Sequence, residues 1–370
     1  MKFIDEFRDP DLIRGLLKGI EKTGERIGRP VTVMEVCGTH TVAIGRFGLR
    51  KLLPAGIRLV SGPGCPVCVT AIEDVDRALH LAGREGVLFA TFGDMLRVPG
   101  TKGVTLQKLR ADGADVRVVL SPADVLALAE KNRSQEVVFM GIGFETTAPA
   151  AASLILRARE RNLDNLTVFS VHKLIPPAMK ALVEDPELKL DGFLCPGHVS
   201  TIIGAKAYGF LPEQAGASAV ITGFEPVDIL EGILMILRQI DGGQRKVEIQ
   251  YTRAVSPEGN PRALALMEQV FEPGPALWRG LGSMDGSGLR IREPYRPLDA
   301  AKRFSFPDIR SEEVRGCACG TVLRGAIRPS QCPLFRVRCN PRNPLGPCMV
   351  SSEGTCAAYF KYHREREEEP

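Results

Sequence analysis

Eight times between residues 31 and 222, a short apolar run ends in a turn marked by glycine, proline or serine and is followed by a helical stretch. No other feature limits the fold as much. Strands that alternate with helices pair in parallel and need helices over both faces of the sheet. The runs cover 31–36, 57–60, 87–90 and 116–120, then 137–142, 166–169, 192–194 and 219–221. In such sheets the functional groups gather at the carboxyl ends of the strands. Each motif that follows one of these runs stands at such an end.

The pattern repeats. Pro122-Ala123-Asp124-Val125-Leu126 resembles Pro226-Val227-Asp228-Ile229-Leu230, and Gly93 and Gly197 are separated by the same interval. The expected fold class is α/β, with two similar parallel-sheet α/β domains, 31–135 and 136–254, facing each other across a cleft. A helical segment, 1–30, precedes them, because Leu12, Ile13, Leu16, Leu17 and Ile20 recur at helical spacing. From 255 the texture changes. Asn260-Pro261 caps a helix over 262–270, and beyond it come glycines, prolines and arginines with little periodicity. The region 255–370 is expected to be a small domain in which a bound cofactor replaces the missing hydrophobic core.

The chain has 370 residues, too many for one ordinary core, and is 44% hydrophobic and 25% charged. Its formal net charge is +4, with both signs interspersed, so nothing argues for nucleic acid. The closing Arg-Glu-Arg-Glu-Glu-Glu stretch reads as a solvated end. The N-terminus is charged and unlike a signal peptide, and no run approaches the roughly 18 apolar residues of a membrane span. A cytoplasmic location follows as an expectation. In a reducing compartment, clustered cysteines mean metal or redox chemistry rather than structural staples.

There are ten cysteines in two groups, with Cys195 apart as a core residue. In Ser61-Gly62-Pro63-Gly64-Cys65-Pro66-Val67-Cys68, Pro66 suits the first helical position. Cys65 is then the N-cap and Cys68 the third helical residue, both near the positive helix end that favours thiolates. Cys37, in Cys37-Gly38-Thr39-His40, ends the first strand and is expected to join Cys65 and Cys68 around one iron. His40 is a ligand, a proton donor or a capping residue. Glu145, in Gly143-Phe144-Glu145-Thr146-Thr147, either caps a helix or lines the cleft, and His198, in Cys195-Pro196-Gly197-His198, is a similar candidate. His172 is placed at the cleft edge, while His80 and His363 look incidental. Cys317, Cys319, Cys332, Cys339, Cys348 and Cys356 crowd the tail. Six thiols exceed the four that either a tetrahedral zinc or a cubane cluster needs. Spacing does not say which four bind. The lack of tight Cys-x-x-Cys knuckles and the apolar neighbours Leu334, Phe335, Met349 and Val350 favour an iron–sulfur cluster. The two spare thiols then form a reducible pair.

These motifs, followed by Pro196-Gly197-His198-Val199-Ser200 and the run from Gly346 to Cys356, resemble the D-type nickel–iron hydrogenase maturation factors, the HypD family, over nearly the whole chain. The resemblance implies a redox-active assembly scaffold, rather than a stand-alone enzyme, on which an Fe(CN)2CO unit is built. It implies a 4Fe–4S cluster on Cys317, Cys332, Cys339 and Cys356, whose intervals of fourteen, six and sixteen residues match the family's. Cys319 and Cys348 match its redox-active pair, and Cys37, Cys65 and Cys68 its iron-handling and thiol-exchange positions. It implies two partners, the small C-type chaperone HypC, which shares the iron, and the E-type protein HypE, which supplies cyanide. A monomer joining transient complexes is expected. Two rival readings stand beside it: an iron–sulfur thiol–disulfide reductase acting through Cys65 and Cys68, and a zinc-stabilised binding protein without a redox role.

Overall fold

The computed structural model describes residues 5–363. The first four residues and the closing charged stretch lie outside them. The N-terminal helix runs Pro10–Ile27, within the expected segment 1–30, after a turn of 3-10 helix, Asp5–Arg8. Asp9 caps it by accepting the Asp11 and Leu12 N–H groups at 2.7 and 3.1 Å, and Gly28 ends it at φ 68°. Its apolar stripe lies against the helix Pro226–Asp241 and buries Ile20 completely. A side chain of that size contributes about 2 kcal/mol when fully buried. The segment is therefore a cover for the first sheet rather than a separate body.

All eight expected strands form: β1 Val31–Glu35, β2 Ile57–Ser61, β3 Val87–Thr91, β4 Asp115–Val118, β5 Glu136–Gly141, β6 Leu166–Ser170, β7 Gly192–Pro196 and β8 Ser218–Thr222. A ninth, β9 Val247–Ile249, joins them. Every pairing among the nine is parallel. The chain is thus α/β with two parallel sheets. Strands β3, β7 and β8 are buried at every residue, as sheets covered on both faces require.

The strands are shared between the sheets differently from the sequential halves 31–135 and 136–254. The first sheet has the order β2-β1-β7-β8-β9 and the second β4-β3-β5-β6. Each sheet takes one strand pair from each half, and the first adds β9 at its edge. The central neighbours are β1 with β7 (Val33 opposite Gly192) and β5 with β3 (Glu136 opposite Val87). The repeat itself is present in local structure. The helices Pro122–Lys131 and Pro226–Asp241 both begin with a capping box, in which Asp124 and Asp228 reach back to the N–H groups of Ser121 and Glu225 at 3.0 and 3.2 Å. What differs is the partner. Hydrophobic periodicity specifies a strand but not which half supplies its neighbour, and the two halves have exchanged their second strand pairs.

The region from 255 also divides differently. Helix Pro261–Val270 packs on helix Ala148–Glu160. It is followed by an antiparallel hairpin, β10 Phe271–Trp278 and β11 Gly282–Ile291, where little periodicity was legible. The hairpin covers the second sheet with Phe271, Leu289 and Ile291. His172 lies in this wall, not at a cleft edge. Its Nδ1 is 3.1 Å from Ser170 Oγ, its ring is tilted against Phe271, and burial lowers its pKa to about 3. The cysteine-rich segment begins only after residue 303. It shares one continuous core with both sheets, in which Met34, Phe89, Met140 and Phe193 pack together with Cys319, Val322, Cys348 and Met349. No helix among the described residues is long and apolar enough to cross a membrane.

Candidate functional site

The ends of β1 and β2 meet through their backbones. Gly38 N–H donates to Gly64 O at 2.9 Å, and Gly62 N–H donates to Glu35 O at 2.8 Å. The loops come so close that a Cβ on Gly64 would stand 2.2 Å from Cys37 N. Only glycine permits that approach. Cys37 sits at the N-cap of the helix Gly38–Arg46 and is buried. Burial pushes its thiol up to about 12 against the pull of the first helical N–H groups.

Behind Cys37 lies Glu35, wholly buried. It accepts Thr41 Oγ1–H at 2.6 Å and Cys37 N–H at 3.2 Å, with Arg50 at 4.0 Å. Burial raises its pKa to about 7. Sequence reading assigned Glu35 no role, although a carboxylate inside the apolar run Val33-Met34-Glu35-Val36 was the available signal. His40 is buried as well. Its Nε2–H donates to Gly223 O at 2.9 Å, with Thr222 Oγ1 at 3.0 Å. Because a carbonyl only accepts, Nε2 carries the proton and Nδ1 is left as a buried acceptor without a partner. Burial lowers its pKa to about 4, which keeps the ring neutral. His40 and the exposed His198 both pack against Phe224, at 4.8 and 4.0 Å between ring centroids.

Cys65 is the N-cap of the single-turn helix Pro66–Val69 and accepts Cys68 N–H at 3.2 Å, as its motif predicts. In this structure the two cysteines form a disulfide, with Cα atoms 5.3 Å apart. Glu145 stands in the turn that follows β5 of the second sheet. It caps a neighbouring helix, Ile175–Glu184, by accepting Ile175 N–H at 3.0 Å, and its Oε2 is buried without a partner. Burial raises its pKa to about 7. Cys195 is core, fully buried in β7, where burial pushes its thiol up.

In the tail, Cys317, Cys319, Cys332, Cys339 and Cys356 line one cavity with Leu334, Phe335 and Met349. Cys348 is fully buried outside this lining. Its sulfur is within hydrogen-bonding reach of Cys319 and Cys356, and these contacts raise the Cys348 thiol while favouring the Cys356 thiolate. The donors are sulfur only and their surroundings apolar, which suits a soft polynuclear iron–sulfur group. Among the described residues no three His, Cys, Asp or Glu side chains are gathered closely enough for a single metal ion. That holds equally for Cys37 with the disulfide-bonded pair.

The two regions touch. Helix Pro66–Val69 packs against both Cys319–Leu323 and Pro347–Val350, and Cys68 Sγ is 4.0 Å from Pro347 O. Thr39 Oγ1–H donates to Glu353 Oε1 at 2.8 Å, and Gly38 abuts the Glu353 side chain. Beside this seam opens a cleft of about 790 Å³ bordered by Thr39, Asp94, Arg97, Glu353 and Lys361. Neither Glu353 nor Asp94 was singled out by the sequence, since each acts through a distant segment. Asp94 accepts Ser351 Oγ–H at 3.1 Å, so the end of β3 also holds the tail.

A family model described as "HypD: Hydrogenase formation hypA family" matches residues 11–363. The chain is 48% identical to the hydrogenase maturation factor HypD of Rhodobacter capsulatus, covering 98% of each chain. It is 48% identical to that of Azotobacter vinelandii, over 99% of this chain and 98% of the relative. It is 42% identical to that of Escherichia coli K12 over the whole of both.

Proposed function

The chain belongs to the HypD family of hydrogenase maturation factors, and from that premise we propose that it is a redox-active scaffold for the Fe(CN)2CO unit of nickel–iron hydrogenases. The observation that carries this reading is the seam where the Cys65–Cys68 disulfide lies against the helices of Cys319 and Cys348. A thiol pair at strand ends and a sulfur-lined chamber are packed together without an intervening layer.

Cys317, Cys332, Cys339 and Cys356 would hold a 4Fe–4S cluster, which supplies electrons one at a time when bound. The remaining steps belong to the chain's own thiols. Cys348 attacks Cys68 and forms a mixed disulfide, its proton passing to Cys65 as that sulfur leaves. Cys319 then attacks Cys348, which releases Cys68. Two electrons and two protons have passed from the Cys319/Cys348 dithiol to the Cys65–Cys68 disulfide. The opened pair and Cys37 offer thiolates to the cargo iron, and such donors suit the electron-rich ferrous state that binds cyanide and carbon monoxide. Glu35 holds the Cys37 backbone, and the neutral His40 ties the helix Gly38–Arg46 to the end of β8. The cleft beside Thr39 and Glu353 is the surface where HypC would share the iron and HypE would deliver cyanide.

Infrared spectroscopy tests this reading on protein isolated anaerobically with HypC under full maturation conditions. Cyanide and carbon monoxide bands are expected, and their absence would sink the scaffold. The contact between the disulfide and the Cys348 helix also favours a second reading, a general thiol–disulfide reductase. That reading predicts turnover of a disulfide substrate and no such bands. The relay has its own test. Cys348→Ala is expected to slow cluster-dependent reduction of Cys65–Cys68 at least roughly tenfold with iron content unchanged. An unchanged rate would remove Cys348 from the path.

A further inference from the structure

The sulfurs of Cys317 and Cys319 share one wall of the cavity. A Cβ built on Gly346 would lie 3.0 Å from Cys317 Sγ and 2.8 Å from Cys319 Sγ, so both are pressed against the same glycine. The two thiols are within hydrogen-bonding reach of each other. Cys319 also reaches Cys348 and Cys356, whereas Cys348 contributes nothing to the cavity lining. The supposed redox pair is therefore unequal. One member stands behind the chamber and the other inside it. Among the five lining cysteines, Cys317 is the most exposed, half-buried where the other four are buried. It is the ligand most readily displaced.

We infer that Cys319 is a fifth donor to the cluster and exchanges with Cys317. The inference rests on the cluster reading above. In the exchange the Cys319 thiolate bonds to the iron held by Cys317, the Cys317–iron bond breaks, and the proton lost by Cys319 passes to the departing Cys317 sulfur. No electron moves. A single residue, Ala318, separates the two cysteines, so the chain need not be rebuilt. The exchange is open only while Cys319 is a thiol. A sulfur bonded to Cys348 has no thiolate to donate. The ligand set of the cluster thus follows the oxidation state of the pair, and the relay reports to the centre that feeds it.

The test is iron and sulfide content, with visible absorption, of full-length variants reconstituted anaerobically with ferrous iron and sulfide. Cys317→Ala is expected to keep most of the wild-type iron, with a shifted electron paramagnetic resonance signal after reduction. Cys332→Ala, which has no neighbouring substitute, loses it, and so does the double variant Cys317→Ala/Cys319→Ala. Loss in Cys317→Ala equal to that in Cys332→Ala overturns the inference, as does retention in the double variant. A measurement on the unmutated holoprotein guards against misfolding. Alkylation of Cys317, followed by mass spectrometry, rises when the Cys319–Cys348 pair is reduced, and a constant yield overturns the exchange. A wild-type protein that takes up no iron is a different result and overturns the cluster reading itself.

Discussion

The strand-end motifs and the cysteine chamber lie side by side and are held in place by different means. Around Cys37, backbone bonds join the loops after β1 and β2, and the Glu35 carboxylate binds the Cys37 N–H and the Thr41 hydroxyl. The positions of these groups are set by two parallel strands before any metal arrives. The chamber has no such frame. Its helices Cys319–Leu323, Pro347–Val350 and Thr355–Tyr362 have 5, 4 and 8 residues, joined by a turn of 3-10 helix, Pro329–Gln331, and isolated bridges such as Phe335 with Cys339. Short helices of this kind are marginal alone. On the proposed function, the contrast separates a place where cargo would be exchanged, its donors fixed by the fold, from a place where a resident group would supply the structure itself.

The contrast breaks most visibly if iron is stripped from the reconstituted protein by a chelator. Limited proteolysis is expected to change from resistance to rapid cleavage between residues 304 and 346, while the sheets stay intact. Equal loss of protection in both regions would show that they share one support. The next largest effect falls on the other region. Gly64→Ala would push a Cβ against Cys37 N and should cost about 3 kcal/mol in denaturant unfolding, with iron uptake by the tail unchanged. Stability equal to wild type would mean that the two loops are not locked together.

The smallest expected effect concerns protons. Buried Glu145 has its pKa raised to about 7 from an ordinary 4.5. The folded state therefore holds this proton more tightly than the unfolded chain. That stabilisation is complete below pH 4.5 and is lost as the pH rises through 7. Glu145→Gln should remove roughly 2 kcal/mol of this decline. Glu35 adds a slope of the same sign, so the quantity to read is the difference between variant and wild type at pH 5 and pH 8. Identical slopes would show that Glu145 does not contribute.

Much of this arrangement was legible in the sequence because it is local. Short apolar runs ending in turns marked the eight strands, helical stretches followed them, and proline after Cys65 placed that residue at an N-cap, where it stands. The internal repeat was legible too. The exchange of strand pairs was not, since Val87 pairs equally well in either half on periodicity alone. The β10–β11 hairpin was hidden because Gly274, Gly282, Gly286 and Gly288 interrupt its alternation. In the candidate site, cysteines and histidines drew attention by their chemistry. Glu35 and Glu353 act through contacts between distant segments, Glu353 meeting Thr39 across 314 positions, and no local pattern announces such a contact.

The shared sheets have a consequence for how the chain is made. As it leaves the ribosome, β1 and β2 wait for β7, and β3 and β4 are released before β5 exists to separate them from solvent. The second sheet can close once β6 has emerged at Ser170, whereas in the first Val33 must wait for Gly192, so the pairing that completes the first sheet is the long-range one and forms slowly. Cutting the gene between the copies would give two fragments that each hold half of two sheets. Neither copy of the repeat could therefore stand as a domain without the other.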